Sequence, residues 1–470
     1  MKQLYVTTAI PYVNGKPHIG HALDYLLADV FSRYKNQQGN VVRFQSGTDE
    51  HGNKVAKKAA EAGKTPKEYA DENSAAFRDF IEALNVHPTD FIRTTDKKHI
   101  ELCQKIWQKL SPHIYSATYD GFYCEGCEAF VTKKEFDDNR GVCPDHGKPY
   151  QKISEENYYF RLSDFKSEIR AKIESDEMKI LPEFRKKEVL NLLDNAPDVS
   201  ISRPKKSLTW GIPVPGDDSQ VMYVWLDALS NYLTVLGYPD ADISDYWPPA
   251  LQIVGKDILR FHAIIWPAML LGLNLELPKV LLSHGYILVN SEKMSKSLGN
   301  VIDPVEILNL HGPEAFRYFF LRHIDTFLDS DFSLEQFETA YSSELANDLG
   351  NLVQRLATLC NKNNLELIYE PRTELPADYS SLMDNFEYKK AFDFAWEKVQ
   401  NLNKRIDSEK PWALKDDPEK QSDILSSLAK ELLATNILLS PFLPDTSEKI
   451  TKIFTNTPIK APDSPLFPKN

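Results

Sequence analysis

The spacing of hydrophobic residues changes several times along the chain. Leu4-Tyr5-Val6-Thr7-Thr8-Ala9-Ile10 is a run of strand formers, ended by the turn Pro11-Tyr12-Val13-Asn14-Gly15. From Ile19 the period becomes 3.6: Ala22, Leu23, Leu26, Leu27, Val30, Phe31 and Tyr34 share a face, and Gly39-Asn40 stops the helix. Residues 41–46 form the next strand. Strand, crossover helix and strand in this order predict parallel pairing. Helical pattern continues from Lys54 to Leu84. From about 115 to 200 the long apolar stretches give way to aromatics and a cysteine cluster, as expected of an inserted module. Strand-like runs return at residues 221–225, 251–254 and 280–282, so one sheet is split by the insertion. After about 333 the pattern is helical throughout. Leu345, Leu349, Leu352, Leu356 and Leu359 form one stripe, and Tyr388, Phe392, Ala395, Trp396, Val399, Leu402 and Ile406 a second. Ile424, Leu428, Leu432 and Leu438 form a third, which together predict a bundle. From Pro458 the chain reads as extended.

With 470 residues the chain has room for about three domains. Its 42% hydrophobic and 26% charged residues exclude disorder, collagen and coiled coil as the main theme. A net charge of −13 excludes a generic basic nucleic-acid coat, though not a local basic track. The longest apolar run, residues 261–277, is broken by His262, Pro267 and Asn274, so no membrane span is expected. The start Met1-Lys2-Gln3 has no secretory pattern, which predicts a cytoplasmic protein. Five cysteines are too few for a disulfide scaffold, and three of them lie close together, which points to metal. Cys103 and Cys360 read as ordinary buried thiols.

Three constellations carry chemistry. In His18-Ile19-Gly20-His21 two imidazoles three apart share the first turn of a helix, whose N-terminus favours an anion. They suit phosphoryl oxygens, and Gly20 leaves room for a nucleobase against the backbone. In Lys293-Met294-Ser295-Lys296-Ser297, before Leu298-Gly299-Asn300, two ammonium groups in a small polar loop suit a triphosphate clamp. Taken alone, the first reads equally as a pair of surface histidines, and the second reads more readily as a solvated charged turn. Cys124-x2-Cys127 and Cys143-x2-His146 have the spacing of a tetrahedral zinc site. Four protein ligands leave no place for water, so the metal should be structural and fold a module without its own core.

The histidine and lysine motifs, in this order on either side of a split α/β sheet, resemble the signatures of the class I aminoacyl-tRNA synthetases. In detail the chain is similar to the methionyl-tRNA synthetases through Ala9-Ile10-Pro11-Tyr12, Gly47-Thr48-Asp49-Glu50-His51-Gly52, Val224-Trp225-Leu226-Asp227-Ala228, Gly255-Lys256-Asp257, His284-Gly285-Tyr286 and the helical last third. The resemblance implies a Rossmann-like parallel-sheet catalytic domain in two halves, 1–114 and 203–290, split by a zinc-binding connective insertion at 115–202. A signature-loop and stem-contact region at 291–345 and an all-α anticodon-binding bundle at 346–470 should follow.

It also implies roles for single residues. His18, His21, Lys293 and Lys296 would stabilise the reacting phosphates. Gly20, Gly255, Asp257 and Ser295 would hold ATP, with magnesium on its phosphates. Asp49, at the end of the second strand where such sheets bind ligands, would pair with the methionine ammonium. Ile10, Tyr12, Trp225, Tyr232, Ile258, Phe261 and His262 would surround the thioether. Asn351, Arg355 and Trp412 would read the anticodon of tRNA(Met). The insertion is too short to house an editing domain, which favours methionine over branched aliphatic substrates. The chain lacks the C-terminal β-domain that some relatives use to dimerise, so a monomer is expected. A nucleotidyltransferase would explain the histidine pair but not the helical third, and a zinc-dependent nucleic-acid module would explain the cysteines alone.

Overall fold

The computed structural model describes residues 2–125, 129–144, 147–293, 302–369 and 374–468. Three strands open the chain: β1 (Gln3–Thr8), β2 (Val41–Thr48) and β3 (Asp90–Arg93). Between β1 and β2 runs α1 (Ala22–Gln37), and α2 (Lys97–Leu110) follows β3. The inserted module holds β4 (Ile114–Cys124), flanked by β5 (Ala129–Val131) and β6 (Gln151–Phe160), each antiparallel to β4. Then come β7 (Lys179–Leu181), α3 (Val224–Thr234), β8 (Leu251–Gly255) and β9 (Val280–His284).

The main sheet has six parallel strands in the order β3-β2-β1-β8-β9-β7. The chain leaves β1 toward β2 on one side and later returns as β8 on the other. A crevice therefore opens beyond the C-terminal ends of β1 and β8, the topological switch point at which open α/β sheets bind ligands. Val6, Leu251, Ile253 and Leu282 pack on the α1 side, while Tyr5, Val254 and Leu281 face a second core built with α2 and α3.

Two boundaries differ from the expected ones. β7, within the interval read as insertion, pairs with β9 as the edge of the main sheet. Three residues between polar flanks leave no periodic signal, and only the pairing reveals them. The run 221–225 is strand only to Met222, after which α3 begins at Val224.

The last part holds α4 (Pro304–Arg322), α5 (Asn351–Lys362), α6 (Tyr388–Glu409), α7 (Pro418–Leu439) and α8 (Pro444–Thr455). The predicted stripes are its core: Leu345, Leu349, Leu352 and Leu356 bury against Trp396, Val399, Leu428 and Leu432. The segment beyond Pro458 is extended as expected, yet docked, with Ile459 and Phe467 buried and the Tyr341 hydroxyl donating to the Pro468 carbonyl at 2.6 Å. Cys103 and Cys360 are buried, as read. Residues 261–272 are core helix, and no helix among the described residues is long and apolar enough to cross a membrane.

Candidate active site

A cavity of about 840 Å³ lies at the crevice, and four strand ends supply its wall. Residues 9–24 follow β1, Asp49 follows β2, 255–262 follow β8, and 284–287 follow β9. Of the residues proposed for nucleotide and methionine, Ile10, Tyr12, His18, Gly20, His21, Asp49, Trp225, Tyr232, Gly255, Asp257, Ile258 and His262 all line it. So does Phe261.

His18 is the N-cap of a 3-10 turn, Ile19–His21, that runs into α1. Its Nδ1 accepts the Gly20 N–H at 3.1 Å, and its own N–H donates to His21 Nδ1 at 3.1 Å. The three-residue spacing is thus a capping box built from imidazoles. Because each Nδ1 accepts a main-chain N–H, each neutral ring carries its proton on Nε2. The rings lie 3.9 Å apart, and Phe77 packs edge-on against His21. Two pre-aimed N–H donors at a helix start suit phosphoryl oxygens.

At Gly255 a Cβ would press at 2.8 Å on the carboxylate of Asp257, which would have to move aside. Gly47 is constrained by backbone: its Cβ would meet the Ile92 carbonyl of β3 at 2.1 Å. This close approach carries β2 to Asp49, whose N–H donates to the Pro11 carbonyl at 2.9 Å.

On the side expected to take methionine, Trp225 and Phe261 stack with centroids 3.6 Å apart and planes at 10°. Beneath them the Tyr232 hydroxyl donates to His262 Nε2 at 2.8 Å, while His262 Nδ1 donates to the Ile258 carbonyl at 3.0 Å. Burial pushes the His262 imidazole down to about 4 and the Tyr232 phenol up. Both are neutral near pH 7, so the pocket offers aromatic faces and a polar pair without charge. Such a wall fits a thioether.

Sequence reasoning missed two arrangements. His284 Nε2 lies 3.2 Å from Asp24 Oδ2 in the cavity wall, beside Gly255. Burial alone would lower this imidazole, but the Asp24 carboxylate outweighs it and raises the value. Asp24 was hidden on the polar side of α1, three residues past His21. The second is a buried chain behind Trp225. Asp227 accepts from His51 Nδ1 at 2.7 Å and from His99 Nε2 at 2.8 Å. Burial works to raise the Asp227 carboxyl, and the two imidazoles outweigh it and hold it below the usual range. This chain locks α3, with Trp225 and Tyr232, to the segment that carries Asp49. His99, Asp227 and Cys103 are spaced like hydrogen-bond partners, at 2.8 and 3.2 Å.

Other expected site residues lie partly or wholly outside the description. Lys293 is seen as backbone only, at the end of a hairpin that leaves the cavity wall at Ile287. Ser295, Lys296, Cys127 and His146 fall outside the described residues. Cys124 and Cys143, the two described residues of the expected zinc set, share one small buried cluster. Cys124 ends β4, Cys143 sits in a tight turn to Lys148, and both are buried in a small cluster with Val131. Far from the cavity, Arg355 on α5 pairs with Asp407 at 2.7 Å and lies 5.4 Å from the Trp412 ring. Trp412 is 39% exposed, and Asn351 is exposed one turn before Arg355.

Comparison with known proteins agrees with this geometry. Residues 4–357 match the family described as tRNA synthetases class I (M). The methionine–tRNA ligase of Caldanaerobacter subterraneus subsp. tengcongensis is 40% identical, over 96% of this chain and 73% of that one. The methionine–tRNA ligase of Brucella suis biovar 1 is 39% identical, over 96% and 92% of the two chains. Among solved structures, Mycobacterium tuberculosis methionyl-tRNA synthetase in complex with methionyl-adenylate superposes with a TM-score of 0.91 at 34% identity, covering 100% of both chains.

Proposed function

Because the chain belongs to the class I tRNA synthetases of the methionine type, we propose that it activates L-methionine with ATP and then charges tRNA(Met). In the first step a methionine carboxylate oxygen attacks the α-phosphorus in line, the bond to the β-phosphate bridge breaks, and pyrophosphate leaves. In the second, the terminal ribose hydroxyl of the tRNA takes the acyl group and AMP departs. No protein nucleophile is required, so positioning and charge stabilisation supply the rate.

The single observation that best supports this reading is one cavity lined by both the His18–His21 pair and the Asp49, Trp225, Tyr232 and His262 wall. An ATP phosphate chain at the helix start and a methionine against Trp225 would then meet at the carboxylate. His18 and His21 would donate through Nε2 to the phosphoryl oxygens, and Lys293 and Lys296 would neutralise the leaving pyrophosphate. Magnesium bound with ATP would supply further charge neutralisation there. Gly255 and Asp257 would hold the ribose, Gly20 and Ser295 the rest of the nucleotide, and Asp49 the methionine ammonium. Ile10, Tyr12, Ile258 and His262 would close around the side chain. Cys124, Cys127, Cys143 and His146 would bind one structural zinc. The enzyme would act as a monomer in the cytoplasm, and Asn351, Arg355 and Trp412 in the helical domain, 346–470, would read the anticodon.

Pyrophosphate exchange with each of the twenty amino acids tests this directly. Methionine alone should drive exchange, and an equal rate with another amino acid would refute the assignment. Lys296→Ala should lower exchange by about 10²–10³ while methionine binding persists.

A further inference from the structure

Arg317 is fully buried, on the half of α4 that follows a break at Gly312-Pro313. Its Nη2 lies 2.6 Å from the Asp29 carboxylate of α1. Nε donates to the Phe442 carbonyl at 2.8 Å, Nη2 to Pro441 at 3.1 Å, and Nη1 to Leu84 at 3.4 Å. Arg33, one turn along α1, shares Asp29 at 2.7 Å and donates to the Asn85 carbonyl at 3.0 Å. Asn85 in turn reaches Asp445 at 2.7 Å, and the Thr446 N–H donates to Glu314 at 2.8 Å. Four segments converge here: α1, the turn at Leu84–Asn85, α4, and the connection between α7 and α8.

Of these segments α1 runs from the cavity wall toward the bundle, and α4 meets it at Asp29. α1 starts directly after His21, and its far end ties to the bundle through Lys35–Asp384 at 2.7 Å and Gln37 to the Ile437 carbonyl at 3.0 Å. α4 follows the lysine-bearing segment and ends at Arg322, paired with Asp393 of α6 at 3.1 Å. The Asp29–Arg317 pair is a cross-link between the two rods. An apolar contact could hold the same pieces at least as firmly, because burying a guanidinium is costly. What the planar fork adds is direction: it fixes the two bundle carbonyls relative to the α1 carboxylate.

Resting on the reading of the bundle as the anticodon-binding part, we propose that Arg317 is a positioning residue that couples the bundle to the His21 end of α1. Charging of tRNA depends on this coupling, whereas adenylate formation does not. Packed rigid elements carry such coupling between distant sites.

Arg317→Lys keeps the charge beside Asp29 and removes the fork. Three rates are read: methionine-dependent pyrophosphate exchange without tRNA, charging of a tRNA(Met) transcript, and charging of the same transcript with an altered anticodon. Exchange should stay within about twofold of wild type, cognate charging should fall roughly tenfold, and the altered transcript should be charged as before. Equal losses in exchange and charging, or no loss in either, would overturn the proposal. Asn85→Gly retains the left-handed backbone (φ 56°) and loses the Asp445 bond, and it carries the same comparison if the lysine variant is insoluble. Absence of methionine-dependent exchange in the wild-type protein would strike the proposed function itself.

Discussion

His262 shows how much a single residue's setting decides. Its ring is 3% exposed, and both nitrogens are committed, one to Tyr232 and one to the Ile258 carbonyl. The folded imidazole sits at about 4 against an ordinary 6.5, so between those values the unfolded chain binds the extra proton. Stability therefore falls as pH drops from 6.5 toward 4, by roughly 3 kcal/mol from this residue. Denaturant unfolding at a series of pH values should show a steeper acid loss in wild type than in His262→Gln, and parallel curves would contradict the assignment. The His18–His21 pair was legible because its spacing matches a helix turn. Its tautomers were not, since they depend on which main-chain N–H groups the two Nδ1 atoms meet. Asp24 and His284 could not be paired from sequence, because one lies on α1 and the other ends β9.

Among elements, strands with a strong β-branched signal were readable almost to the residue. The run from Leu4 became Gln3–Thr8, and that from Val41 became Val41–Thr48. The run at 221–225 misled because Val, Met, Tyr and Trp suit strand and buried helix equally. Tertiary contacts decided it: Asp227, locked between His51 and His99, needs the helical turn that also places Trp225. If Cys124, Cys127, Cys143 and His146 hold zinc as proposed, the connective module should depend on that metal. Its satellite core buries Cys124, Val131 and Cys143, with Phe122 stacked on Phe136 at 3.6 Å. A cluster this small cannot offset the ordering of its loops without a cross-link. Metal analysis should find one zinc per chain, and Cys143→Ser should lose it along with the near-ultraviolet dichroism of the module's aromatics. A fully folded module in metal-free protein would rule the zinc out.

At the scale of the whole molecule, one continuous core runs from the sheet and α1 through α4 into the helices around Trp412. If unpaired bases stack on Trp412 and are flanked by Arg355, Trp412→Ala should lower charging of tRNA(Met) by about 10–100-fold, since a stacked base is worth about 1–3 kcal/mol. Pyrophosphate exchange should be unchanged, and a parallel drop in exchange would argue for a packing role. The sequence by itself determined the parallel sheet and the helical bundle, because each rests on periodicity, and the class of chemistry through the resemblance of its histidine and lysine motifs to a known family. Tertiary structure alone decided that β7 closes the sheet, that Asp24 faces His284, that Asp227 ties the helix of Trp225 to His51 and His99, and that Arg317 joins three parts of the chain. Those contacts link residues far apart in the chain, where no local period exists and only the packing of elements determines which side chains meet.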